Sequence, residues 1–581
     1  MSYATRKEDD IMSNIRKFFL DDEHVIINLS TSLCTSSEQV LESEGFRHFL
    51  EWFLCRIDKE SQNELFAVKE ILSDIDELIE IYQLLLVFSY QKVLDLRGDE
   101  CKLLSCQHDF LVFTEVLYDA WRKLERYGII QRRLSSIRSD SEMLIDAVED
   151  FSAVILKTYR LLVQRINETN LRVFRQTPAG VDAGMVIAKR NKKLPKRYKL
   201  LDSIDFVETQ ILRTPFIAHS KANTRQGIFK ETHAFALDES PLTQRHFVCF
   251  PIKIGLSLAF VYVHRAFYHH GVSLANLFEP ATKDEYLNEK PDLIYVYGDT
   301  LKQYDCTYYH DEKNAIYFGY VNRDRKNDYF GYMKKMLLTL HNVSMIDKGH
   351  LPIHGAMVKI ILKNNDEKNI VIIGDSGAGK SESLEAMRDI AEGRIKQMKT
   401  IFDDMGTFYL EEDTVVATGT ETGAFIRLDD LENDYVYKEL DRSIFLNPDR
   451  ANARLVLPVA TYPFIITKHH VDMVLYANNY EDNEPSIEYF DDMEEAKKIF
   501  ISGKRKAKGT TAEKGLVESF FANPFGPVQR PKETGVIIDK VFKALYDTKI
   551  PVGMIYTKLA IRGKEHTGTK KAAKALLESL N

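Results

Sequence analysis

The segment Gly374-Asp375-Ser376-Gly377-Ala378-Gly379-Lys380-Ser381 sets two glycines five positions apart and follows the second with a lysine and a hydroxyl residue. That is the spacing of a P-loop, in which successive backbone N–H groups turn inward around phosphate oxygens while the next helix presents its positive N-terminus. The lysine supplies a charge for the outer phosphates, and the hydroxyl can ligate Mg²⁺. A motif this short gains weight from its flanks. Asn369 to Ile373 reads as a buried parallel strand and Glu382 to Ala391 as a helix, the order such a loop requires. Packing alone would demand neither Lys380 nor Ser381, so a nucleotide or another polyphosphate is expected here.

Other residues with chemical potential lie on both sides. Upstream, YFGYMKKMLLTL runs from Tyr329 to Leu340 with adjacent lysines at 334 and 335, and LPIHGAMVKI contains His354 and Gly355. Downstream, IFDDMGTFYL carries Asp403 and Asp404 at the end of an expected short strand. TGTETGAFIRL, ANARLVLP with Arg454, and GTTAEKGLVESFFANPFGP follow. Taken singly each is ordinary: a lysine pair usually faces solvent, a lone histidine is usually a satisfied core residue, and paired aspartates often cap turns. The pairs His269-His270 and His469-His470 read as core or surface histidines, because adjacent side chains diverge on a strand or helix.

These residues need a scaffold, and the chain is long enough for one. At 581 residues it should divide into roughly three domains. To about residue 175 the spacing is helical, with Leu144, Val148, Phe151, Ile155 and Leu162 on one face, so an all-α N-terminal domain over 1–185 is expected. The basic run KRNKKLPKRYK, Lys189 to Lys199, reads as a solvated linker. Beyond it HFVCFPIKI, LAFVYVH, DLIYVYGD and NAIYFGYV suggest strands of an α/β domain over 200–345. Residues 346–581 alternate strands and helices around the P-loop and end in a helix from Thr569 to Leu580.

Composition narrows the function classes. A hydrophobic fraction of 44% fits a globular chain, and a net charge of -8 gives no global field for nucleic acid. The six cysteines form no CxxC pair and read as reduced thiols. Residues 1–19 carry acidic groups early and lack the apolar run of a secretory leader, so a cytoplasmic location is expected. The most apolar stretch, Ile254 to Val263, is too short to cross a bilayer and reads as one buried strand.

In their order and intervals, YFGYMKK, IHG, GDSGAGKS and FDD resemble the phosphoenolpyruvate carboxykinases, especially the ATP-dependent type, across about residues 285 to 575. GDSGAGKSE and the preceding HG are also similar to the HPr kinase/phosphorylase family, which shares this P-loop core. The resemblance implies an α/β fold with a carboxykinase-like P-loop core and mixed sheets. It also implies ATP, Mg²⁺ and Mn²⁺ as cofactors and oxaloacetate and phosphoenolpyruvate as substrates. Lys380 would bridge the β- and γ-phosphates, and Ser381 would ligate the nucleotide Mg²⁺. Lys335, His354 and Asp404 would hold Mn²⁺, which requires the lysine to be neutral. Arg454 would pair with a substrate carboxylate or the phosphoryl group, and Tyr329 would lie against the carboxylate or CO₂. Thr510, Thr511 and the stretch from Thr567 would flank the site. Oxaloacetate would lose CO₂, and the resulting enolate would take the γ-phosphoryl group in line.

Departures from the family pattern leave alternatives. The family's upstream substrate arginine has only Arg225 as a counterpart, Tyr332 replaces an acidic residue, and the family needs no helical N-terminal region, which could instead meet a protein partner. A kinase of a protein serine or a small alcohol, with Asp403 or Asp404 as base, stays open. So does a nucleotide-sensing regulator without turnover.

Overall fold

The computed structural model describes residues 18–30, 33–57, 63–72, 74–98, 101–131, 140–168, 180–225, 227–390, 393–428, 440–507 and 515–580. The chain forms two units, Met1–Ala188 with Val207–Arg213, and Lys189–Phe206 with Thr214–Asn581. It is mixed α/β throughout, and among the described residues no helix is long and apolar enough to cross a membrane.

The N-terminal unit is not the all-α domain that helical spacing suggests. Strand His24–Asn28 runs parallel to Glu125–Gln131, which runs parallel to Ala183–Ala188, and Phe18–Leu20 pairs antiparallel on the outer side. The helical stripe itself is present: Asp140–Asn167 forms one helix that buries Leu144, Val148, Phe151 and Leu162. Windows long enough to detect that stripe average over strands of five to seven residues, which is why HVIIN and ERYGIIQ escape notice. Other helices start at side-chain caps that satisfy end N–H groups, such as Asp74 for Ile75–Val87 and Ser43 for Glu44–Leu54.

The basic run after Ala188 is largely exposed, as a solvated stretch should be, but it is also partly folded. Lys196–Leu201 is a 3₁₀ turn with Tyr198 and Leu201 buried, and the Arg197 guanidinium lies 4.3 Å from the Phe235 ring centre. Prolines and positive charge suggest exposure, but alkyl stems and guanidinium planes can cover aromatic faces. The apolar stretch from Ile254 is also two strands: Phe247–Ile254 and Ser257–His264 form a hairpin that turns at Gly255, where φ is +53°. Leu293–Asp299 and Ile316–Asn322 continue that sheet in parallel with Ser257–His264.

A second, eight-stranded sheet carries the glycine-rich loop Gly374 to Ser381. Its order is His469–His470, Thr414–Gly419, Ile395–Glu411, Leu351–Leu362, Glu367–Ile373, Met473–Asn478, Val552–Tyr556, Ile487–Tyr489. Glu367–Ile373, the strand before the loop, is parallel to Met473–Asn478 but antiparallel to Leu351–Leu362, so the sheet is mixed where a parallel strand was expected. Asp403 and Asp404 lie inside the seventeen-residue strand Ile395–Glu411, not at the end of a short one. Helix Phe330–Asp347 packs against strands of both sheets and is buried on nearly every face. That explains why YFGYMKKMLLTL lacks a polar stripe.

Candidate functional site

The glycine-rich loop is held in shape by its own backbone and its neighbours. Gly377 and Gly379 have φ of +78° and +92°, left-handed values that glycine adopts without strain. A Cβ at Gly379 would come 2.6 Å from Thr557 Oγ1. Thr557 Oγ1 donates to the Ala378 carbonyl at 2.7 Å, and Asn479 Nδ2 donates to the Gly377 carbonyl at 2.8 Å. With those carbonyls tied outward, the loop is braced from the neighbouring strands. Helix Lys380–Ile390 begins at the lysine, whose Nζ donates to the Asp375 carbonyl at 3.2 Å. Ser381 Oγ donates to Asp403 Oδ1 at 2.8 Å.

Next to the loop, three elements converge on Asp404. The helix Phe330–Asp347 brings Lys335 Nζ to 2.5 Å and Lys334 Nζ to 2.7 Å from Asp404 Oδ2. The strand Leu351–Leu362 brings His354 Nε2 to 2.9 Å from Oδ1. In the register of the two strands Gly355 faces Asp404, and a Cβ on Gly355 would lie 2.6 Å from the Ile372 carbonyl oxygen. Glycine is therefore what allows the His354 strand to close against the strand leading into the loop. Asp404 has φ of +138°, a conformation costing a non-glycine residue on the order of 1–3 kcal/mol, offset here by its ionic partners.

Burial and charge set unequal protonation within this cluster. For Lys335, burial together with the charge of Lys334 outweighs the attraction of Asp404 and brings the pKa down to about 8. For Lys334, burial is overcome by Asp404 and Glu421, which hold the ammonium above its ordinary value. Burial opposes ionisation of Asp404, yet both lysines and His354 keep it well below the usual carboxylate range. Burial pushes Glu421 up to about 7 even though Lys334 Nζ lies 2.8 Å away. His354 is lowered by burial, which favours the neutral ring, and its Nδ1 lies 2.8 Å from the Ala522 carbonyl. Neutral imidazole oriented by a carbonyl, a carboxylate and an amine easily stripped of its proton make a donor set suited to an ion such as Mn²⁺.

Further cations gather around two rings. The Arg454 guanidinium is 5.1 Å and Lys334 Nζ 5.6 Å from the Phe425 ring centre, and the Tyr329 ring lies 6.1 Å from the same ring. Lys335 Nζ is 4.6 Å and the Arg225 guanidinium 5.1 Å from Phe525. Arg454 also donates to Asn452 Oδ1 at 2.8 Å. Arg225 thus shares the Phe525 ring with Lys335, despite a gap of more than a hundred positions in the chain.

Most of the sequence-derived residues therefore meet. Lys335, His354 and Asp404 touch, Ser381 meets Asp403, and Tyr329 and Arg454 share Phe425. Thr510 and Thr511 lie outside the described residues. Thr567 is exposed on helix Glu565–Glu578, its hydroxyl directed to the Lys564 carbonyl at 3.5 Å. Glu421, Phe425, Phe525 and Arg505 were not foreseen. Arg505 Nε donates to Asp375 Oδ2 at 2.8 Å and offsets a carboxylate within the glycine-rich loop. The TGTETGAFIRL segment holds both Glu421 and Phe425, and only their fold neighbours reveal their place. His269 and His270 are buried and both approach Asp328 Oδ1, at 3.2 and 2.9 Å, while His469 Nε2 meets the Phe464 carbonyl.

Against known protein families and curated proteins the chain finds no match.

Proposed function

We propose that the protein is an ATP-dependent, phosphoenolpyruvate carboxykinase-like enzyme that converts oxaloacetate and ATP to phosphoenolpyruvate, CO₂ and ADP. The observation that carries this reading is the convergence of Lys334, Lys335 and His354 on Asp404 beside a braced phosphate loop, with Arg225 and Arg454 close by. A kinase for a simple hydroxyl needs a base and a phosphate cradle. It has no use for a buried amine brought down to about 8 or for two guanidinium groups gathered over the Phe425 and Phe525 rings that the lysine pair also approaches.

Lys335, His354 and Asp404 would hold Mn²⁺, which supplies positive charge where an enolate oxygen develops. Arg225 and Arg454 would grip the carboxylates of the dianionic substrate, orienting the bond to the departing CO₂. Lys334, which keeps its proton, would stabilise the same developing charge from the helix side. Tyr329 would cover the departing CO₂. Lys380 would exchange its contact with the Asp375 carbonyl for the β- and γ-phosphates, and Ser381, oriented by Asp403, would serve the nucleotide Mg²⁺. No covalent enzyme intermediate is required.

The test is direct: combine the protein with oxaloacetate, ATP, Mg²⁺ and Mn²⁺ and follow phosphoenolpyruvate and CO₂. Stoichiometric formation of both supports the reading. ATP consumption only when a serine-containing protein or an alcohol is added would replace it with the kinase alternative. ATP binding without turnover would leave a nucleotide sensor.

A further inference from the structure

The N-terminal unit contains a cavity of about 430 Å³ that the proposed chemistry does not use. Its walls are aromatic: Phe46, Tyr82, Tyr118, Trp121, Phe151 and Tyr159 all face it. Tyr118 and Tyr159 are stacked on one another, with ring centres 3.8 Å apart and planes 6° from parallel. The polar atoms in the walls are already engaged. Tyr82 Oη and Thr114 Oγ1 share a hydrogen bond at 2.9 Å, and Thr158 Oγ1 donates to the Val154 carbonyl at 2.7 Å. Among the lining residues Gln39 and Glu44 are polar and exposed.

An apolar cavity of about 150 Å³ stays dry and takes up benzene, because water there would lose its hydrogen bonds. This one is larger and open on one side, and its apolar walls, left without partner atoms, forfeit dispersion contacts. We infer that it is a binding site for a small, uncharged, planar aromatic molecule of about two fused rings, held against the aromatic walls with any polar substituent towards Gln39 and Glu44. A flexible hydrocarbon chain fits less well: it would lose rotamer freedom on binding and has no ring to pair with the aromatic walls. This site is independent of the phosphate loop and of the activity proposed for it.

Trp121 lines the cavity and gives the readout, since the chain contains two tryptophans. The full-length protein is titrated with 1-naphthol, following tryptophan emission and calorimetric stoichiometry, with decanoate as the chain-like comparison. Ile155→Phe and Leu162→Phe fill the cavity from two positions on its wall. The expected result is saturable 1:1 binding of 1-naphthol, at least tenfold tighter than decanoate, with an unfolding temperature that rises with ligand concentration. At least one filled variant that unfolds no lower than the parent should lose affinity tenfold or more. Absence of saturable binding, tighter binding of decanoate, or unchanged affinity in folded, filled variants would overturn the assignment.

Discussion

Lys334 and Lys335 are neighbours in sequence, approach the same Asp404 oxygen, and differ in protonation because only Lys334 also meets Glu421. The second carboxylate keeps one ammonium charged, and the charged neighbour helps to discharge the other. Lys335 is protonated below about pH 8, so binding Mn²⁺ there must release a proton. Affinity for Mn²⁺ should therefore rise about tenfold per pH unit up to about 8 and level off above it, read from the free-ion EPR signal. In Lys335→Ala that slope should vanish. Lys335→Ala and His354→Ala should each lower kcat by at least about 10²–10³ while leaving ATP affinity nearly unchanged, whereas Lys380→Ala should weaken both. Equal loss of ATP affinity in all three would contradict this division of roles. At this scale residues that the sequence singles out lie together, since Lys335 and His354 both reach Asp404 and Ser381 reaches Asp403. Arg505 was not legible in the sequence, since its partner Asp375 is 130 positions away and no local pattern links them.

The elements explain why these residues meet. Strand Leu351–Leu362 lies between Ile395–Glu411 and Glu367–Ile373, so His354 is held between the aspartate strand and the loop strand. The close approach at Gly355 makes this arrangement sensitive to a single added side chain. Gly355→Val should cost about 1–3 kcal/mol by urea unfolding and lower turnover beyond what the lost stability explains, because it moves His354 away from Asp404. Full turnover in a folded Gly355→Val protein would contradict the strand-positioning account. At this scale the sequence was a partial guide. The loop helix expected over Glu382 to Ala391 is Lys380–Ile390, and the expected terminal helix is Glu565–Glu578. The aspartate strand was misjudged in length because its first half, IKQMKT, is largely exposed and carries no apolar alternation. The direction of neighbouring strands was illegible too, since it depends on pairing between distant segments.

For the whole molecule, the sequence indicated a boundary near Lys189 but not that Val207–Arg213 belongs with the N-terminal unit. A run of seven residues that returns across a boundary leaves no compositional mark. A fragment ending at residue 213 should therefore unfold cooperatively with a higher midpoint than one ending at 188, as checked by thermal circular dichroism, and equal midpoints would contradict the assignment. Strands His24–Asn28 and Glu125–Gln131 pair across about a hundred residues, a pairing that no local window displays. The central claim is that Lys335, His354 and Asp404 share one divalent ion beside the phosphate loop, and anomalous diffraction from a crystal grown with Mn²⁺ and ATP tests it most directly. The account predicts a manganese peak bonded to Lys335 Nζ, His354 Nε2 and an Asp404 oxygen. Manganese found only at Ser381 and the phosphates, with Lys335 still paired to Asp404, would contradict it.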